Sequence, residues 1–92
     1  ASPEAYIAID RAFHRALGRA AHNRFLEETL NRLYNLNLRL WYLALDKIGP
    51  MRQAVAEHRR ILEAVVQHDG PKAEAAMRAH ITSFQKRIRE LL

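Results

Sequence analysis

Three breaks divide this chain into four runs in which apolar residues return every three to four positions, a rhythm that only helices packed on helices can satisfy. The breaks are Asn23, Gly49-Pro50 and Asp69-Gly70-Pro71. They pair residues that stop a helix with residues that start one: Gly or Asn suits the left-handed position after a last turn, and Pro suits the first position of a new helix. Ser2, Pro3 and Glu4 make a similar start at the N-terminus, with a cap, a fixed φ and an acidic first turn. The expected fold is all-α, an antiparallel bundle of about four helices over residues 3–21, 24–48, 51–68 and 71–91.

A chain of 92 residues is long enough for one core, so a single domain over residues 1–92 is expected. With 49% hydrophobic residues and only three Gly and three Pro, the composition is that of a folded chain rather than a disordered one. No apolar run approaches the roughly 18 residues needed to span a bilayer, and the start lacks the basic segment and apolar stretch of a signal peptide. A soluble, cytoplasmic protein with no membrane partner is expected. The absence of cysteine excludes disulfides and leaves only nitrogen and oxygen donors for any metal.

The net charge of +5 invites a nucleic-acid reading, but the basic residues are scattered. Arg11, Arg15 and Arg19 fall on the outer face of the first helix, while Arg59, Arg60, Lys86, Arg87 and Arg89 are interleaved with Glu57, Glu63 and Glu90. That is the pattern of a solvated surface, and no helix-turn-helix or zinc-finger signature accompanies it.

The inner faces hold the anomaly. Tyr6, Asp10, Phe13, His14, Leu17 and Ala21 share one face of the first helix; Met51, Ala54, Val55, His58, Leu62, Val65 and Val66 share one face of the third. Ala73, Met77, His80, Ile81, Phe84, Ile88 and Leu91 do so on the fourth. Asp10 and His14 are one turn apart. His58 lies about eleven residues before the Asp69-Gly70 turn and His80 about ten after it, so at about 1.5 Å per residue the two reach a common height. A carboxylate buried alone is costly, and a divalent cation compensates it while using neutral imidazole lone pairs. Asp10, His14, His58 and His80 are therefore the expected metal ligands. They suit a divalent transition metal, zinc first, with Ni, Mn, Fe or Co as alternatives, better than Ca or Mg. No catalytic residue is expected, because HExxH is absent and no further carboxylate or His falls on an inner stripe to act as base. His22 and His68, at helix ends, receive no ligand role.

The second helix carries Leu26, Leu30, Leu33, Asn37, Leu40, Trp41, Ala44 and Ile48 on one face, with Phe25, Leu36, Leu38, Leu43 and Leu45 around the rest. That is more apolar surface than one seam uses, and it calls for a further partner, either a second copy of the chain or another segment. Tyr34, Asn37 and Trp41 project from the inner face and are candidate ligand-pocket residues.

Three stretches resemble a known family when taken in order. They are Asp10-Arg-Ala-Phe13-His14-Arg-Ala-Leu17 followed by Ala20-Ala21-His22-Asn23, Leu26 and Leu30; Glu57-His58-Arg-Arg-Ile61-Leu62-Glu-Ala64-Val65; and Ala76-Met77-Arg-Ala-His80-Ile81. They are similar to segments of the FadR-type C-terminal domain (FCD), the effector-binding domain of one branch of the GntR transcription regulators. The resemblance implies a ligand-sensing helical bundle whose metal is held at Asp10, His14, His58 and His80 and helps bind a small carboxylate effector rather than doing chemistry. It also implies a homodimer that meets operator DNA only through a winged helix-turn-helix domain absent from this chain. The opening helices of the effector domain are expected to be absent too, so no carboxylate-clamping arginine is assigned. Two other classes stand beside this one, a metal-dependent helical-bundle hydrolase and a purely structural dimerisation bundle.

Overall fold

The computed structural model describes the backbone of residues 3–48 and 52–91 and the side chains of residues 4–40, 42 and 52–90. Four helices account for nearly all of it: α1 (Pro3–Ala20), α2 (Arg24–Ile48), α3 (Arg52–Val66) and α4 (Gly70–Leu91). No strand occurs among the described residues, so the fold is all-α. The expected cap at Ser2, the break at Gly49-Pro50 and the inward position of Met51 lie outside the described residues. The chain divides into two compact units, Ala1–Leu45 and Asp46–Leu92.

In the first unit α1 stops because His22 turns left-handed, with φ of 52°, and its N–H reaches Arg19 O at 3.2 Å. Histidine tolerates this region better than most side chains. Asn23 then starts α2, its Oδ1 accepting the Leu26 N–H at 3.0 Å, which is the cap the sequence suggests. Contacts pair α1 with α2 antiparallel, Asp10 with Tyr34, Arg11 with Asn35 and Gly18 with Glu27. The buried face of α1 holds Ile7, Asp10 and Gly18. Ile7 stands outside the predicted stripe, and Ala21 within it is exposed.

The face of α2 differs more. Its less exposed positions are Glu27, Asn31, Tyr34 and Leu38, while Leu26, Leu30, Leu33 and Leu40 of the predicted inner face are exposed, as are Phe25 and Leu36. The buried carboxylate of Asp10 needs a donor, and the polar stripe of α2 supplies one where a leucine face could not. The surplus of apolar surface on α2 is thus larger than periodicity implies.

In the second unit α3 ends in a Schellman turn, with His68 N–H on Val65 O and Asp69 N–H on Ala64 O, both at 3.0 Å. His68 has φ of 56° and takes the left-handed place expected of Gly70. Asp69 caps α4 through Oδ1, which accepts the Lys72 N–H at 3.0 Å. The third helix therefore ends at Val66 rather than 68, and Gly70 opens α4 instead of closing α3.

The buried face of α3 is Ala54, Glu57, Ile61 and Ala64. Val55, Leu62, Val65 and Val66, expected inside, are exposed. Turning the stripe by one residue, about 100°, brings two alanines to the contact, where small side chains let α4 approach closely. It also brings in Glu57. On α4, His80 is buried and Ala73, Met77, Phe84 and Ile88 are half-buried, as periodicity predicts, while Ile81 is exposed.

Candidate metal centre

Asp10 is only 3% exposed, and both its oxygens have neighbours. His14, one turn along α1, brings Nε2 to 3.3 Å from Oδ1. Tyr34 on α2 donates its hydroxyl to Oδ2 at 2.5 Å. The Tyr34 ring also lies against the His14 imidazole, centroids 5.1 Å apart. Burial, then the hydrogen bond and charge of Asp10, push the Tyr34 phenol far above its ordinary pKa, so it serves Asp10 as a donor. Beside them, half-buried Arg11 reaches Asn35 Oδ1 at 3.4 Å; it does not share the solvated face of Arg15 and Arg19.

His58 and His80 meet as the equal-height argument predicts, Nε2 to Nε2 at 3.2 Å, with ring centroids 4.6 Å apart. His80 is buried, and its Nδ1 stands 2.7 Å from Glu57 Oε1. The same oxygen accepts from Arg87 Nη2 at 3.4 Å. Gln53 Nε2 donates to Glu57 Oε2 at 3.2 Å and to Ser83 Oγ at 2.8 Å. Burial pushes the Glu57 carboxyl up, but hydrogen bonds from His80 and Ser83 and the charge of Arg87 outweigh it and hold the group below the usual carboxylate range.

Glu57 is the residue that sequence reasoning missed. It was expected among alternating surface charges, and its burial overturns the expectation that no further carboxylate lies on an inner face. Arg87, expected on the solvated surface, is half-buried as its partner. The signal was available: Ala54, Ile61 and Ala64 recur at spacings that place Glu57 on the same stripe. Glu57 is engaged on both oxygens, so it is not a poised base.

The donor chemistry of each pair fits a metal. Two ligands bound to one ion at about 2.0–2.2 Å stand about 2.8–3.6 Å apart, from a right angle to a tetrahedral one. The Asp10–His14 pair at 3.3 Å and the His58–His80 pair at 3.2 Å both fall in that window. A carboxylate oxygen beside an imidazole in the first pair, and two imidazoles in the second, are donors that a first-row transition metal accepts. Of the candidate pocket residues, Tyr34 is bonded to Asp10, Asn37 is exposed rather than on an inner face, and the Trp41 side chain lies outside the described residues.

The FCD domain family matches residues 1–83. The HTH-type transcriptional regulator LutR of Bacillus subtilis (strain 168) is 35% identical, over 83% of this chain and 37% of its own length. The HTH-type transcriptional repressor RspR of Escherichia coli (strain K12) is 24% identical over 94% of this chain and 38% of its own. The Glc operon transcriptional activator of the same strain is 29% identical over 90% and 34% respectively. The chain thus spans a little over a third of the length of these curated relatives. No solved structure matches. No described helix is long and apolar enough to cross a membrane. A family match that runs from the first residue to Ser83, through the first three helices and into the fourth, shows that this chain belongs to the FCD domain family of GntR-type transcriptional regulators.

Proposed function

We propose that this chain is the ligand-sensing part of a bacterial transcription regulator, in which Asp10, His14, His58 and His80 hold a divalent transition metal, zinc first, and the metal helps bind a small carboxylate. The observation that carries the reading is the donor spacing within each pair, 3.3 Å for Asp10–His14 and 3.2 Å for His58–His80. When bound, the metal supplies positive charge and a position for an effector oxygen. The chain's own residues prepare for it: Tyr34 ties down one oxygen of Asp10 and leaves the other beside His14. A carboxylate that binds one packing of the helices better than another shifts the balance between them, and that shift is what a DNA-binding domain can read. Homodimerisation, a cytoplasmic location and operator contact through a winged helix-turn-helix domain outside this chain belong to the same reading. The names of the relatives as HTH-type regulators support it. The role is regulatory rather than enzymatic, as the family's is.

Elemental analysis of purified protein and calorimetric titration of metal-loaded and metal-stripped protein with a panel of small carboxylates test the proposal. A transition metal in the purified chain and carboxylate binding confined to the loaded form are expected. Equal affinity in both forms sinks the metal's part in effector binding, and a protein that takes up no metal sinks the centre itself.

A further inference from the structure

We propose that Glu57 is a positioning residue of the metal centre: together with Gln53 and Arg87 it locks His80 in the Nδ1–H tautomer and so directs the Nε2 lone pair at the metal. The inference rests on the metal reading above and adds a residue that does not itself touch the ion.

A neutral imidazole has one N–H, and the partner of the other nitrogen decides which one carries it. Glu57 Oε1 stands 2.7 Å from His80 Nδ1 and already receives a donor from Arg87, while Oε2 receives one from Gln53. A carboxylate addressed by donors on both oxygens is an acceptor toward His80, so Nδ1 carries the proton. The lone pair then sits on Nε2, the atom 3.2 Å from His58 Nε2.

The clamp is rigid for reasons visible in the two helices. Gln53 lies one turn before Glu57 on α3, and its amide also donates to Ser83 on α4 at 2.8 Å. Arg87 lies two turns beyond His80 on α4. The carboxylate is thereby held from both helices at once and cannot swing away without breaking contacts to each. Glu57 and His58 are adjacent in sequence, so a single stretch of α3 supplies one ligand and orients the other. Outer carboxylates of this kind fix ring orientation and raise ligand basicity, and their loss typically lowers metal affinity by about 10–100-fold.

The test combines nitrogen-15 NMR of the imidazoles in metal-free protein with zinc affinity measured against a chelating dye. In the wild type His80 is expected as the Nδ1–H tautomer. Glu57→Ala is expected to mix the tautomers and weaken zinc by about 10–100-fold. Glu57→Gln, which keeps a carbonyl oxygen for Nδ1–H, loses less, and Arg87→Met falls between it and the wild type. A wild-type His80 carrying its proton on Nε2 overturns the proposal, as does a folded Glu57→Ala protein with unchanged tautomer and unchanged zinc affinity. If Glu57→Ala does not fold, the wild-type tautomer and the Glu57→Gln and Arg87→Met affinities decide. A wild type that takes up no zinc overturns the metal reading and this proposal together, an outcome distinct from a silent Glu57→Ala variant in a zinc-binding protein.

Discussion

Both carboxylate oxygens of Asp10 are committed, Oδ1 toward His14 and Oδ2 to the Tyr34 hydroxyl. Tyr34 is therefore better understood as a partner of Asp10 than as a pocket wall. Tyr34→Phe keeps the ring against His14 and removes only the donor, leaving a buried oxygen without that hydrogen bond. Zinc affinity is expected to fall by about 10-fold, the lower end for an outer-shell partner, with helix content by circular dichroism unchanged. Affinity that stays level or rises in Tyr34→Phe would mean that Oδ2 is itself wanted by the ion. His58→Ala removes a donor nitrogen outright and is expected to cost more zinc affinity than Tyr34→Phe in the same assay. Asp10, His14, His58 and His80 stand out in the sequence because charged or polar groups on an apolar stripe break a pattern. Glu57 is easily overlooked, because a glutamate beside His58 among arginines breaks no pattern; only the Ala54, Ile61 and Ala64 stripe, one residue round from the more apolar one, separates it from the surface charges.

Helix by helix, the capping chemistry was readable and the packing angles less so. Asn23 and Asp69 begin α2 and α4 with the side-chain oxygens that their residue types suggest. The end of α3 was not readable from residue type, because His68 took the left-handed turn for which Gly70 was the better candidate. That choice carries a testable cost. A non-glycine left-handed residue costs about 1–2 kcal/mol, against about 0.5–1 kcal/mol for the extra freedom glycine loses on folding. His68→Gly is therefore expected to stabilise the chain by up to about 1 kcal/mol, seen as a higher urea midpoint at unchanged slope. Gly18 in α1 offers the converse test. A Cβ there would meet Glu27 Cγ at 3.6 Å and Glu27 Cα at 3.8 Å, ordinary contact distances. Gly18→Ala should gain most of the roughly 1 kcal/mol that separates the two residues inside a helix. A lower midpoint in Gly18→Ala would show that α1 and α2 approach too closely there for a methyl group.

Across the whole molecule, the described residues bury little apolar volume: Ile7, Ala54, Ile61 and Ala64 are the buried hydrophobic side chains, beside buried Asp10, Glu57 and His80. The faces of α2 and α3 could not be placed from periodicity because the polar groups of Asp10 and Glu57, which need partners when buried, set the rotation of the helices as much as apolar area did. A fold that buries two proposed ligands, Asp10 and His80, beside so little apolar volume should depend on what they bind. Zinc at about a hundred times its dissociation constant adds about 2.7 kcal/mol, which for a domain of this size raises the melting temperature by on the order of ten degrees. Excess chelator should reverse the gain, and a His58→Ala, His80→Ala protein should show none of it. The gain should shrink as pH falls, because imidazoles must release protons to ligate. The metal-free protein has a separate acid limb. Glu57, held below its ordinary value of 4.5 by His80, Ser83 and Arg87 against the opposing effect of burial, contributes stability that is present above that value and lost as pH falls through the lower folded one. Melting curves against pH with and without zinc should therefore differ most near neutrality and converge in acid; curves that remain apart at pH values where the imidazoles are protonated would place the zinc on other donors.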